Sequence, residues 1–289
     1  MKPEIRSAVR EIRSDRERGA RQLALAALQA LRAVAPECSG EEFRECARAL
    51  ALSRPMMAAT QNAAAAAWAG YLQTGDAVRA TEEAIESIES AADGMAASAR
   101  RVVPTGSLMT YSYSSSVIEL FGRIRPRRVI LSEARPLREG LRMARELVGL
   151  GISVTLITEA QLALFVHEAD AVVVGADTIL PEGDLVNKIG TRLLALAARD
   201  AGVPFYSVSE TLKVAAPSEP VPFAPEQGDP KEVCAEKWLE VRNVYFEATP
   251  ARLVTAYVTE AGVLDPASVG RFADEAERRW RALMDAAEA

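Results

Sequence analysis

The texture of this chain changes once, near residue 100, and that change constrains its fold more than any other feature. Up to about Ser98 the residues are mostly Ala, Leu, Glu and Arg at helical spacing, with Ala24, Leu28, Leu31 and Val34 on one face and hardly any β-branched runs. From about Arg101, short β-rich runs at 127–133, 152–159, 171–177 and 203–210 alternate with amphipathic segments. Such alternation predicts an α/β architecture in which a parallel sheet is covered by helices on both faces. The expected organisation is an all-helical N-terminal domain at 1–98, followed by a Rossmann-like parallel-sheet domain at 99–289.

Composition narrows the class further. With 289 residues, 49% apolar and 26% charged, the chain is neither disordered nor fibrous. Its net charge of -6 argues against a nucleic-acid surface, and no direct nucleic-acid binding is expected. An anionic ligand then needs a site built from a few placed cations. Cys38, Cys46 and Cys234 form no CxxC and His167 is the single histidine, so neither a disulfide scaffold nor a zinc site is expected, and no cofactor or metal is called for. Pro55 to Gly75 is uncharged but Ala-rich, with Thr60, Gln61, Asn62 and Gln73, and reads as a buried helix rather than a membrane span. The charged start MKPEIRSAVREIRSDRERG has no apolar core, so a cytoplasmic location is expected.

In open α/β sheets, ligands sit at the carboxyl ends of the strands. Four such ends are polar: 132–135, Thr158-Glu159, Gly175-Ala176-Asp177 and 209–213. Asp177 ends an apolar strand, and Asn187-Lys188-Ile189-Gly190-Thr191 is expected to open a helix whose free N–H groups and lysine suit an oxyanion, although Asn187 serves equally well as a simple cap. Ser114, Ser115 and Ser116 precede a helix beginning near Val117 and offer hydroxyls and N–H groups to a phosphate, or mere caps. Five prolines between Pro217 and Pro230 mark a long connection, 243–266 reads as a further strand with turns, and a closing helix is expected over 267–287. P-loop, GxGxxG, GxSxG and HExxH patterns are all missing from the sequence.

The pieces SEARPLREG (132–140), VVVGADTILPEGDLVNKIGT (172–191), FYSVSETLK (205–213) and FEATPARLVTAYVTEAGVL (246–264), in that order and spacing, resemble one family. It unites the α, β and δ subunits of translation initiation factor 2B with methylthioribose-1-phosphate isomerase and ribose-1,5-bisphosphate isomerase. The resemblance is strong over 100–270 and weaker in the helical part. It implies a phosphosugar held by Arg18, Gly19, Ala20, Arg21 and Arg54 together with Ser114, Ser115, Ser116, Asn187, Lys188 and Lys213, with Asp177 at the position of the catalytic aspartate. It also implies a homodimer or higher assembly.

The isomerases of this family carry Thr-His-Cys where this chain has Thr110-Tyr111-Ser112, so Ser112 stands in the place of the catalytic cysteine. A thiol with a pKa of about 8.5 exchanges protons near neutrality, whereas a hydroxyl needs a separate base. Two functions therefore stay open. One is an aldose-to-ketose sugar-phosphate isomerase using Asp177 and Ser112; the other is a non-catalytic initiation-factor-like regulatory subunit that senses a sugar phosphate or nucleotide in the same pocket.

Overall fold

A computed structural model describes residues 1–15, 18–55, 57–218 and 227–285. Its first part is helical: α1 (Pro3–Ser14), α2 (Ala20–Val34), α3 (Gly40–Ala51), α4 (Ala58–Thr74) and α5 (Ala77–Ala99). Local chemistry sets their starts. Ser39 and Glu42 form a reciprocal capping box on α3, and the Asp76 carboxylate accepts from the N–H groups of Val78 and Arg79 at 3.0 Å. The α2 residues Leu23, Ala24, Ala27, Leu28, Leu31 and Val34 are all buried, as their helical spacing predicts.

Helix α4 is the Ala-rich segment. Small side chains all round let α2, α3 and α5 approach it closely, which is why it is buried on most sides. At its far end Trp68 and Tyr71 stack at 5.3 Å, with the Phe43 ring 5.5 Å from Tyr71. The last helix, α10 (Gly270–Met284), joins this helical core through Ala276, Trp280 and Leu283, and the Trp68 indole donates to the Ala282 carbonyl at 2.8 Å. The closing helix therefore starts three residues later than expected; residues 286–289 and the stretch 219–226 of the proline-rich connection lie outside the described residues. Trp68 and Trp280 are buried packing residues, and Trp238 is 78% exposed.

The second part is the predicted α/β unit. In chain order it comprises β1 (Ser107–Thr110), α6 (Ser115–Ile124), β2 (Arg128–Ser132), α7 (Glu139–Gly149), β3 (Ser153–Ile157), α8 (Leu162–Phe165), β4 (Ala171–Val174), β5 (Thr178–Ile179), β6 (Leu185–Lys188), α9 (Thr191–Asp200), β7 (Phe205–Val208), β8 (Phe246–Thr249), β9 (Ala256–Thr259) and β10 (Gly262–Leu264). Seven strands form one sheet in the order β10-β9-β7-β4-β1-β2-β3, parallel throughout except for β10. The second sheet, β5-β6-β8, is antiparallel.

Chain order reverses direction across the large sheet between β1 and β4, because β2 and β3 extend to one side of β1 and β4, β7 and β9 to the other. This is the topological switch point, where the loops after β1 and β4 diverge and leave a crevice. The central strand β1 is only four residues long and carries no β-branched run before Thr110, so it escaped the strand pattern in the sequence. Among the described residues no helix is long and apolar enough to cross a membrane, and no cluster of His, Cys, Asp and Glu suits a metal.

Candidate functional site

The crevice at the β1/β4 switch point opens into a cavity of about 580 Å³. The loop after β1 contributes Ser112 and Tyr113, and the loop after β4 contributes Asp177. Helix α7 and its approach supply Leu137, Arg138, Glu139, Leu141, Arg142 and Arg145, strand β6 supplies Lys188, and the segment entering β8 supplies Tyr245 and Phe246. The helical part closes the cavity with Asp15, Arg18, Gly19, Arg54 and Met57. Six cations and three carboxylates thus face one cavity on a chain whose net charge is -6.

Arg18, Arg54, Arg142 and Lys188 are braced. Arg18 donates to Asp15 Oδ2 at 2.7 Å and to Glu11 at 2.6 Å, which holds its guanidinium above its ordinary pKa, with the Asp15 bond the main cause. Arg54 donates to the carbonyls of Ile12 and Asp15 at 3.1 and 2.6 Å, tying the 52–55 turn to the end of α1. Arg142 stacks on the Tyr113 ring at 4.0 Å, and the Tyr113 hydroxyl reaches Glu146 at 3.0 Å. Lys188 lies 2.8 Å from Glu139 and 5.0 Å from the centres of both the Tyr245 and Phe246 rings. Bracing fixes these side chains before a ligand arrives, which lowers the entropic cost of binding.

Asp177 lines the cavity and is half-buried. Burial raises its carboxyl above the ordinary value of 3.8; Lys188, Lys213 and Arg54 oppose the shift and Glu139 adds to it. Ser112, 4% exposed, holds a left-handed backbone at φ 59°, an uncommon state for a residue with a Cβ and one that collects at functional sites.

Of the residues expected at the site, Arg18, Gly19, Arg54, Ser112, Asp177 and Lys188 line the cavity. The others stand behind it. Ala20 is the buried first residue of α2, and Ser114 caps α6 by accepting from the Val117 N–H. Gly175 carries no Cβ because Ser114 Oγ fills that space. Ser115 packs near Gly19, within 4 Å of where a Cβ there would lie. Ser116, Arg21 and Lys213 belong to a buried ionic network: Glu210 lies 3.1 Å from Lys213 and 3.5 Å from Arg21, and accepts from Ser116 at 3.2 Å, while Arg21 also pairs with Glu119. The Lys213 and Arg21 charges hold Glu210 below its ordinary 4.5, outweighing the burial that pushes it the other way.

One expectation is corrected. Asn187 and Lys188 do not open a helix; they end strand β6, pairing with Glu247 and Phe246 of β8. Helix α9 starts at Thr191 behind Gly190, whose φ of 100° and close approach to the Tyr111 hydroxyl only a glycine permits. Nor are its first N–H groups free for an oxyanion: Glu247 accepts from Gly190 at 2.6 Å and Arg192 at 3.0 Å, a negative charge where the helix dipole favours one. Asn187 donates to Thr191 instead of capping. Replacing Glu247 with Gln should cost about 1 kcal/mol in urea unfolding, because the neutral amide loses the charge-dipole attraction while keeping one acceptor.

Sequence reading missed Glu139, the three arginines of the α7 region and the Tyr245-Phe246 wall. A signal existed for the arginines: Arg138, Arg142 and Arg145 follow a strand end at intervals of four and three, which is one face of a helix.

The sequence profile of the Initiation factor 2 subunit family matches residues 16–266. A Pyrococcus abyssi protein described as a putative translation initiation factor eIF-2B subunit 2-like is 33% identical over 89% of this chain and 94% of its own length. Ribose 1,5-bisphosphate isomerase of Archaeoglobus fulgidus is 33% identical over 91% of this chain and 90% of its own. The crystal structure of the Pyrococcus horikoshii translation initiation factor eIF-2B superposes with a TM-score of 0.79 at 31% identity, covering 92% of this chain and 98% of the other. The profile match and the identities over nine-tenths of the chain agree with the fold, and the chain belongs to the initiation factor 2 subunit family.

Proposed function

We propose that this chain binds a small sugar phosphate in the switch-point cavity and interconverts its aldose and ketose forms, as the name of its ribose 1,5-bisphosphate isomerase relative suggests. The observation that carries the reading is the cavity's charge: six cations against three carboxylates on an acidic chain suit a ligand with more than one negative group. Arg18 and Arg54 on one side and Arg138, Arg142 and Arg145 on the other hold phosphate oxygens and fix the sugar between them. Asp177, its carboxyl raised by burial, moves protons at the sugar oxygens, and Ser112 hydrogen-bonds the substituent of the reacting carbon. A second copy of the chain is the partner proposed for assembly.

Ser112 favours a second reading. A hydroxyl does not ionise near neutrality, so a chain without another base would hold the ligand and leave it unchanged, as a regulatory subunit sensing a metabolite does. Thermal-shift titration with ribose 1,5-bisphosphate, ribose 5-phosphate, methylthioribose 1-phosphate and adenosine monophosphate, followed by NMR of the products, separates the two. A sugar phosphate at about 100 times its Kd should stabilise the fold by about 2.7 kcal/mol. Conversion supports the isomerase, binding without conversion supports the sensor, and no binding by any sugar phosphate overturns both.

A further inference from the structure

We propose that the outer face of α9 is where a second copy of this chain docks, its own α9 lying antiparallel across a two-fold axis near Leu196. The inference rests on the reading above that a second copy is the partner for assembly, and it names the surface that meets that copy.

Helix α9 turns Leu194, Ala195 and Ala198 into the core and leaves Arg192, Leu193, Leu196, Arg199 and Asp200 exposed. Leu193 and Leu196, one turn apart, are 52% and 46% exposed, and α8, packed alongside, leaves Leu164 70% exposed. A single exposed leucine is ordinary on a protein surface, but three on two adjoining helices mark a face that gains by being covered.

The charges at the two ends of α9 point to what covers it. Arg192 stands in the first turn and Asp200 is the last residue. The helix dipole favours anions at the first end and cations at the last, so each of these charges stands at the less suitable end. Neither side chain has an ion-pair or hydrogen-bond partner among the described residues, whereas Arg199 donates to the Arg252 carbonyl at 3.5 Å. Leu196 lies midway between Arg192 and Asp200 in the sequence. In an antiparallel pair centred on Leu196, Arg192 of each copy therefore meets Asp200 of the other, about 6 Å to either side of the axis. A two-fold contact requires this self-complementarity, since whatever one copy offers at a position the other must accept at its mate. Both ends then gain: each Arg192 finds a carboxylate, each helix start a nearby anion and each helix end a nearby cation. Two chains of net charge -6 repel one another overall, so a contact between them needs an apolar centre with opposite charges at its edges, which is the pattern α9 carries.

The test measures the particle mass of the full chain by light scattering and sedimentation over a range of micromolar concentrations. Wild type should self-associate. Leu196→Arg, which brings two like charges to the axis, should weaken the contact by about 100-fold and release particles of half the mass or less, with unchanged far-UV circular dichroism. Asp200→Arg should weaken association by about tenfold, and adding Arg192→Asp should restore it. Both charge changes suit the helix dipole, so a failure to fold does not account for the loss. A Leu196→Arg chain that keeps the wild-type mass overturns the interface and leaves self-association itself intact. A double variant that associates no better than Asp200→Arg alone overturns the antiparallel arrangement, and the proposal with it. Only a wild type that stays monomeric across the whole range removes the second-copy reading as well.

Discussion

Asp177→Asn is expected to lose sugar-phosphate turnover by about 10²- to 10⁴-fold and yet to melt at a higher temperature than wild type. The amide keeps the shape and cannot carry a proton between the sugar oxygens. The stability gain follows from the same burial that serves the chemistry. Asp177 binds its proton more tightly folded than unfolded, because burial raises its carboxyl above 3.8. The stability it contributes is complete below that value and is lost as pH rises through the raised one. At neutral pH the wild type therefore carries the cost of a poorly solvated carboxylate, and the amide removes it. A melting difference that grows as pH rises from 4 and levels off, together with lost turnover, is the expected pattern. A variant that is less stable at pH 7, or that keeps its turnover, would contradict it. Opposite effects on activity and stability are the usual mark of a group held in place for function.

Glu210→Gln should be the most damaging single change behind the site, at about 3–5 kcal/mol in denaturant unfolding. Glu210 and Lys213 are both nearly inaccessible and lie 3.1 Å apart, with Arg21 3.5 Å from the same carboxylate. Removing the negative charge strands Lys213 in the interior, where the Ser116 hydroxyl, at 3.5 Å, is its remaining hydrogen-bond partner among the described residues. A double variant, Glu210→Met with Lys213→Met, should recover much of the loss, because replacing both members of a buried pair by apolar side chains avoids the stranded charge. The pH dependence has the opposite sign to that of Asp177. The carboxyl of Glu210 is held below 4.5, so its contribution is fully present above that value and fades as pH falls through the depressed one. Wild type and Glu210→Gln should therefore converge in stability under acid conditions; a gap that persists there would show that the loss is not electrostatic.

The two carboxylates explain why the site was only half legible in the sequence. Arg18, Arg54, Asp177 and Lys188 lie in short motifs that resemble a family's, and all four reach the cavity. Lys213, Arg21 and Ser116 lie in motifs of the same kind, but Glu210 draws them into a closed network one layer behind. Nothing local distinguishes a lysine that faces a ligand from one that faces a glutamate three residues away; that is decided by which side of the 211–213 turn meets α2 and α6. The Asn187-Lys188 segment failed for a related reason. A polar pair before Gly-Thr and an amphipathic run reads as a helix start, and only pairing with β8, about sixty residues later, makes it a strand end.

The order of residues alone determined what depends on local periodicity and short-range preference: helices to about residue 99, then β-rich runs alternating with helices, hence a parallel sheet with its functional edge at the strands' carboxyl ends. It also determined that any anionic ligand must be met by a few placed cations, because the chain as a whole is acidic. Only the tertiary structure decided which cations converge. Strand β1 lies next to β4 rather than next to its sequence neighbours alone, so Ser112 and Asp177 share one crevice, and α7 brings its arginines to it from the opposite wall. The end of α1 and the turn before α4 close the cavity with Arg18 and Arg54, residues more than a hundred positions from Asp177. Contacts of that separation are set by how whole layers pack, a many-body property of buried surface that no short window of sequence contains.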